Sequence, residues 1–128
     1  MKDSVQRSVK SLVTALRRTP GIAAVYLFGS YALGKATPLS DIDICIFDKG
    51  LTASKRSEIG AMASERLDLS FFDKLPVSVQ MRVFKDGKAL FVKDNRFLRE
   101  AMNSTLKRYL DFRPILRRYY SNAHGIEI

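Results

Sequence analysis

Asp41 and Asp43 stand one residue apart in the run Asp41-Ile42-Asp43-Ile44-Cys45-Ile46-Phe47, whose isoleucines recur with a period of two. Such alternation reads as a strand, with Ile42, Ile44 and Ile46 on one face and both carboxylates on the other. Two carboxylates at neighbouring heights on one sheet face suit a hard cation such as Mg²⁺, which is commonly held by few carboxylates plus the phosphates of a substrate. A third carboxylate on another strand would allow two ions about 3.5–4 Å apart, an arrangement that stabilises both the attacking and the leaving oxygen of a phosphoryl-type displacement. Asp68 can be that third group. It lies in Leu67-Asp68-Leu69-Ser70-Phe71-Phe72, where Leu67, Leu69 and Phe71 form the apolar row and Asp68 points away from it.

An isolated Asp-x-Asp is common by chance on a solvated strand, so its surroundings decide its meaning. Gly29-Ser30 follows the apolar run Ile22-Ala23-Ala24-Val25-Tyr26-Leu27-Phe28, which is too short for an amphipathic helix and reads as a buried strand. A short helix is expected after it. At such a junction exposed backbone N–H groups and a serine hydroxyl can receive phosphate oxygens. Gly29-Ser30-Tyr31-Ala32-Leu33-Gly34-Lys35 also fills the first seven positions of a P-loop. The eighth is Ala36, where a Ser or Thr hydroxyl is needed, and the Asp-x-Asp strand has no place in that motif.

Flanking elements must hold these groups. Ser4–Arg18 has Val5, Val9, Leu12, Val13 and Leu16 on one helical stripe, with Ser4 as N-cap, and Thr19-Pro20-Gly21 ends it. Thr52–Arg66 reads as a helix. Pro76 opens another in its first turn, carrying Val77, Met81 and Phe84; Asp86-Gly87 turns into a strand at Ala89–Val92. A long helix starts near Asn95, with Phe97, Leu98, Met102, Leu106, Tyr109 and Leu110 at helical spacing, and Pro114 should kink it or begin a new one. Helices interleaved with short strands predict a small mixed α/β (α+β) domain occupying 1–128, with Phe28, Ile42, Ile44 and Leu69 in the core around the site.

The 128 residues are 46% hydrophobic and 27% charged, the composition of a folded domain. The longest uncharged apolar stretch is far too short for a membrane helix, and the N-terminus lacks a signal peptide's apolar region, so a cytoplasmic protein is expected. The sole cysteine, Cys45, allows no internal disulfide and reads as a small packing residue. The net charge of +9 is uneven: residues 81–128 hold 11 basic and 5 acidic residues, which favours an acidic partner.

The order of strand, Gly29-Ser30, ten residues, then Asp41-Ile42-Asp43 on a second strand resembles the signature of the nucleotidyltransferase fold of the DNA polymerase β superfamily. More narrowly the chain resembles the minimal nucleotidyltransferases, among them the MntA antitoxins that accompany HEPN ribonuclease toxins (HepT). Lys107-Arg108-Tyr109-Leu110-Asp111-Phe112 is similar to a segment of their last helix. One departure is Leu33, where many members carry an arginine; Lys35 replaces that charge only in part. The resemblance implies an antitoxin of a type VII-like module that transfers AMP from ATP to a tyrosine of the toxin. It further implies that Gly29 and Ser30 hold phosphates, that Asp41 and Asp43 bind Mg²⁺, and that Asp68 binds a second ion and helps to deprotonate the acceptor.

Other readings predict other behaviour. A non-catalytic antitoxin would mask the RNase by binding alone, and a nucleotidyltransferase of this size could use a small-molecule acceptor. Direct nucleic-acid binding through the basic C-terminal part would carry a steep salt dependence, and the chain is short for the domains that position nucleic acid in polymerases. Arg118 and His124 have the spacing of a HEPN ribonuclease pair but lack the helical bundle it needs. Tyr119 and Tyr120 read as packing or partner-contact residues rather than sites of self-modification.

Overall fold

The computed structural model describes residues 3–124. Helix α1 (Asp3–Arg17) already includes Ser4, so that serine lies within the helix rather than capping it. Its apolar stripe Val5, Val9, Leu12 and Leu16 is buried against the sheet. Gly21, at φ +88°, turns the chain into β1 (Ile22–Phe28).

A single helical turn at Gly29–Tyr31 and an irregular loop lead to β2 (Ile42–Asp48). The turn is a 3₁₀ turn of three residues, too short for the helix a P-loop requires. Next comes α2 (Ala53–Gly60), capped by the Thr52 hydroxyl, which accepts from the Lys55 N–H at 3.1 Å. The expected extension of α2 to Arg66 does not occur. Residues after Gly60 are needed to return the chain to the sheet, where the Arg66 carbonyl accepts from the Ile42 N–H and the Ser64 hydroxyl accepts from the Leu67 N–H.

Strand β3 (Leu67–Phe71) is followed by α3 (Val77–Asp86), for which Pro76 is the extended N-cap rather than a residue of the first turn. Strand β4 (Lys88–Val92) begins one residue earlier than the sequence suggests, and α4 (Asn95–His124) runs unbroken through Pro114. That proline lies on an exposed stretch, where water can satisfy the carbonyl it leaves without an N–H partner. Residues 1, 2 and 125–128, and the side chains of Tyr119, Tyr120 and His124, lie outside the described residues.

The sheet is mixed, in the order β3-β2-β1-β4. β1 runs antiparallel to both β2 and β4, whereas β3 is parallel to β2 and joined to it through α2. β2 is therefore interior, and both of its faces are covered. Ile42, Ile44 and Ile46 pack in the cluster beneath α1 and α2. Cys45 and Phe47, on the face of Asp41 and Asp43, are buried beneath α3 and α4 with Ala23, Ala24, Phe72 and Leu98. The two alanines leave room there for an aromatic layer in which Phe47 stacks on Phe72 with centroids 4.3 Å apart. Phe28 and Leu69 are half-buried at the margins of these clusters.

An ion pair locks α2 to the far end of β2. The Asp48 side chain, 2% exposed, receives the Arg56 guanidinium at 2.9 Å and the Leu51 N–H at 2.9 Å, and Arg56 also reaches Asp73.

Ile44→Ala, at a fully buried position of the central strand, should cost about 2–5 kcal/mol in urea denaturation, whereas Lys10→Ala on the exposed side of α1 should stay within about 0.5 kcal/mol.

Candidate active site

The sheet register sets two of the three carboxylates side by side. Phe28, the last residue of β1, pairs with Asp43 on one side, and Asp68 of β3 pairs with Asp43 on the other. Paired residues face the same side of a sheet, with neighbouring strands about 4.8 Å apart, so Asp43 and Asp68 project side by side. Asp41, two positions upstream, joins that side at the strand's entrance.

Gly29 closes against this group. It has φ +73°, and a Cβ there would collide with the Asp43 carboxylate. Only glycine combines that backbone conformation with so close an approach. The turn is then knitted by Leu33 N–H donating to the Gly29 carbonyl at 3.2 Å and Lys35 N–H to the Ser30 carbonyl at 2.9 Å. Tyr31 and Ala32 anchor it to the core beneath α1. On the other flank, the Ser40 hydroxyl accepts from the Thr37 N–H at 2.8 Å, fixing the turn that delivers Asp41.

Asp41 and Asp68 are exposed and Asp43 is half-buried. Burial, then the neighbouring charges of Asp68 and Asp41, raises the Asp43 carboxyl above the usual carboxylate range. Among the described residues none of the three carboxylates forms an ion pair. Nor do three His, Cys, Asp or Glu side chains there converge closely enough to form a ready metal cage.

Gly29, Ser30 and Asp43 line a cleft of about 370 Å³ with Phe28, Leu33 and Lys35, closed on the far side by Val79, Arg82 and Asp86 of α3. Sequence reasoning placed Gly29, Ser30 and Lys35 here and missed Arg82. Nothing in the sequence links α3 to the Gly-Ser turn; only the packing of α3 beside β1 does so. Sequence reasoning gives Arg66 no role beyond the end of a predicted helix. Its guanidinium lies 3.4 Å from the Tyr31 hydroxyl and 3.3 Å from the Ser40 carbonyl, tying the Gly-Ser turn, the approach to Asp41 and the start of β3 together. Cys45 is fully buried with its thiol pushed far up by desolvation, which suits packing and not nucleophilic chemistry.

The sequence matches the polymerase beta nucleotidyltransferase family over residues 10–96. A Methanocaldococcus jannaschii protein provisionally named a protein adenylyltransferase is 33% identical over 70 residues, 55% of this chain and 56% of that protein. The chain thus spans little more than half the length of the curated relative it matches. Among solved structures, a toxin–antitoxin complex with AMP-PNP superposes with TM-score 0.62 at 22% identity, covering 86% of this chain and 94% of that one. A tri-AMPylated Shewanella oneidensis HEPN toxin in complex with MNT antitoxin gives TM-score 0.60 at 22% identity, covering 91% and 96%. Similarity at this level of identity establishes the fold.

Because the Asp43 pKa is raised on folding, its ionisation opposes folding: stability falls as pH rises from the ordinary aspartate value through the raised one, and the full cost is present at neutral pH. Asp43→Asn should therefore melt higher than the parent chain at pH 7, and differential scanning fluorimetry should show the gap closing as the pH is lowered through the Asp43 transition.

Proposed function

This chain belongs to the polymerase beta nucleotidyltransferase family, and on that premise we propose that it is a Mg²⁺-dependent protein adenylyltransferase, transferring AMP from ATP to a tyrosine of a HEPN-family RNase and so acting as its antitoxin. The observation that carries the reading is the register that sets Asp43 between the Gly29 turn and Asp68. It puts a phosphate-receiving turn and three carboxylates at one end of the sheet.

The donor set fits Mg²⁺. Asp41, Asp43 and Asp68 are hard oxygen ligands, the charges of Asp68 and Asp41 bear on Asp43, and each of the three lacks a cationic partner among the described residues. An incomplete cage is the expected form for a cation that takes part of its coordination from substrate phosphates. Asp41 and Asp43 would hold one ion and Asp68 would share a second; when bound, these ions neutralise the triphosphate and the developing charge on the leaving group.

The remaining work falls to the chain itself. Gly29 and Ser30 present N–H groups and a hydroxyl to the β- and γ-phosphates, with Lys35 and Arg82 supplying positive charge across the cleft. The acceptor oxygen forms a bond to the α-phosphorus while the bond from that phosphorus to the bridging oxygen breaks, and pyrophosphate leaves with the electron pair. Asp68, exposed at the strand's entrance, takes the hydroxyl proton. Catalysis rests on positioning and charge, for which the rigid β1–β2–β3 register is the frame.

The acceptor proposed is macromolecular, because the cleft beside Gly29, Ser30 and Asp43 is taken up by the nucleotide end of the reaction. The uneven positive charge agrees with an acidic protein partner. Among the described residues no helix is long and apolar enough to cross a membrane.

Intact-mass measurement of the HEPN partner after incubation with this protein, ATP and Mg²⁺ should show AMP increments that vanish when Mg²⁺ is omitted or when Asp41→Asn and Asp43→Asn are introduced together. A stable complex with lost RNase activity and no mass change would instead mean masking by binding. Arg82→Ala should raise the KM for ATP roughly ten- to a hundredfold with a smaller change in kcat, the loss expected for one charge-assisted hydrogen bond of about 1.5–3 kcal/mol. Arg82→Lys should recover part of it.

A further inference from the structure

Helix α4 is used by the fold for only part of its length. Phe97, Leu98, Ala101 and Thr105 pack against the sheet, yet the helix continues to His124. Beyond Thr105 the described side chains are exposed, apart from a half-buried Tyr109, and they include Phe112 at 50% and Ile115 at 60% exposure.

These two residues prolong a face that begins inside the molecule. Phe97, Ala101, Ser104, Arg108, Phe112 and Ile115 follow one another at spacings of three and four, one side of a helix about 27 Å long. The first four line a cleft of about 300 Å³ at the Asp48 end of β2, opposite the end that carries the carboxylates. Phe112 and Ile115 carry the same face out of that cleft into solvent.

The floor of the cleft holds an unmet demand. Gln80 of α3 is 1% exposed; its Nε2 donates to the Phe72 carbonyl at 2.8 Å, but its Oε1 has no partner. A buried acceptor left alone is unfavourable, so an occupant bringing an N–H or O–H donor is favoured. At the rim Arg108 donates to the Thr105 hydroxyl at 3.2 Å and forms no ion pair among the described residues. Residues 106–118 carry Lys107, Arg108, Arg113, Arg117 and Arg118 against a single acid, Asp111.

We infer that the cleft and the exposed continuation of α4 form one groove that receives an amphipathic helix of a partner protein, its apolar stripe on Phe112 and Ile115, its flanking carboxylates on the arginines, and a donor side chain reaching Gln80. A second copy of this chain is a poor occupant because it presents the same positive charge. The inference rests on the proposed function only in taking that partner to be the RNase acceptor. It places docking at the opposite end of the sheet from the nucleotide cleft, so binding and AMP transfer are separable by mutation.

The probe is an 18-residue helical peptide with leucines at i, i+3 and i+7 flanked by glutamates, beside a twin with lysines for the glutamates, read by fluorescence anisotropy. The glutamate peptide should bind and its twin should not. Phe112→Asp combined with Ile115→Asp should weaken binding at least tenfold, and Arg108→Glu should also weaken it, while melting temperature and binding of a fluorescent ATP analogue are kept; Lys10→Glu on α1 should change nothing. Absence of binding, equal binding of both peptides, or binding that survives the double variant would overturn the groove. So would self-association of the chain, or binding to phosphatidylserine vesicles, that the double variant abolishes. With the HEPN RNase itself, loss of the complex in the double variant supports the inference and its retention overturns it. A peptide that binds while the RNase does not would support the groove and count against the function proposed above.

Discussion

The half-burial of the Asp43 carboxylate between the Gly29 turn and Asp68 is the constraint on which the site depends. Burial, and then the neighbouring charges of Asp68 and Asp41, disfavours the ionised Asp43 carboxylate, and its raised pKa records that opposition. The strain has to be outweighed by the hydrophobic layers on both sides of the sheet. Interior position, full burial of Ile42 and Ile44, and pairing on both edges hold β2 rigidly enough to keep the charges in place. A looser strand would let the Asp43 carboxylate reach water and would lose its close approach to Gly29.

That requirement explains why the α3/α4 face is closed everywhere except at its ends. Phe47, Phe72 and Phe84 fill the middle with ring-to-ring contacts, so the side of β2 that starts with two carboxylates becomes an aromatic core within four residues. α3 serves twice. Val83 and Gln80 bury one side of it, and Val79, Arg82 and Asp86 on the adjoining side wall the cleft at the Gly29-Ser30 turn. Substitutions along one short helix can therefore reach either the core or the cleft lining, according to which side they touch.

The same fold leaves charge and apolar surface unused at the other end. Arg56 is committed between Asp48 and Asp73, and Arg108 is not similarly committed. A helix that continues well past its last core contact while remaining basic and apolar gains little stability from the chain itself. Its shape makes sense when a second protein completes the packing.

The sequence by itself determined most of the elements and the mixed α/β class. Period-two alternation identified β2 and β3, the interval from Gly29-Ser30 to Asp41 and Asp43 pointed to the nucleotidyltransferase family, and helical stripes identified α1 and the start of α4, because each is a pattern read within a few neighbouring residues. What depends on chain partners far apart was decided by tertiary structure. That β3 runs parallel to β2 with Asp68 beside Asp43 follows from register, which alternation alone leaves free. That Arg82 faces the Gly-Ser turn, and that Arg66 ties Tyr31 to Ser40, follows from how helices and loops pack across the sheet. Even the early end of α2 at Gly60 reflects a tertiary demand. Helical propensity would allow several more residues, but the chain must return in time to hydrogen-bond with Ile42 and place Asp68, and that closure outweighs the local preference.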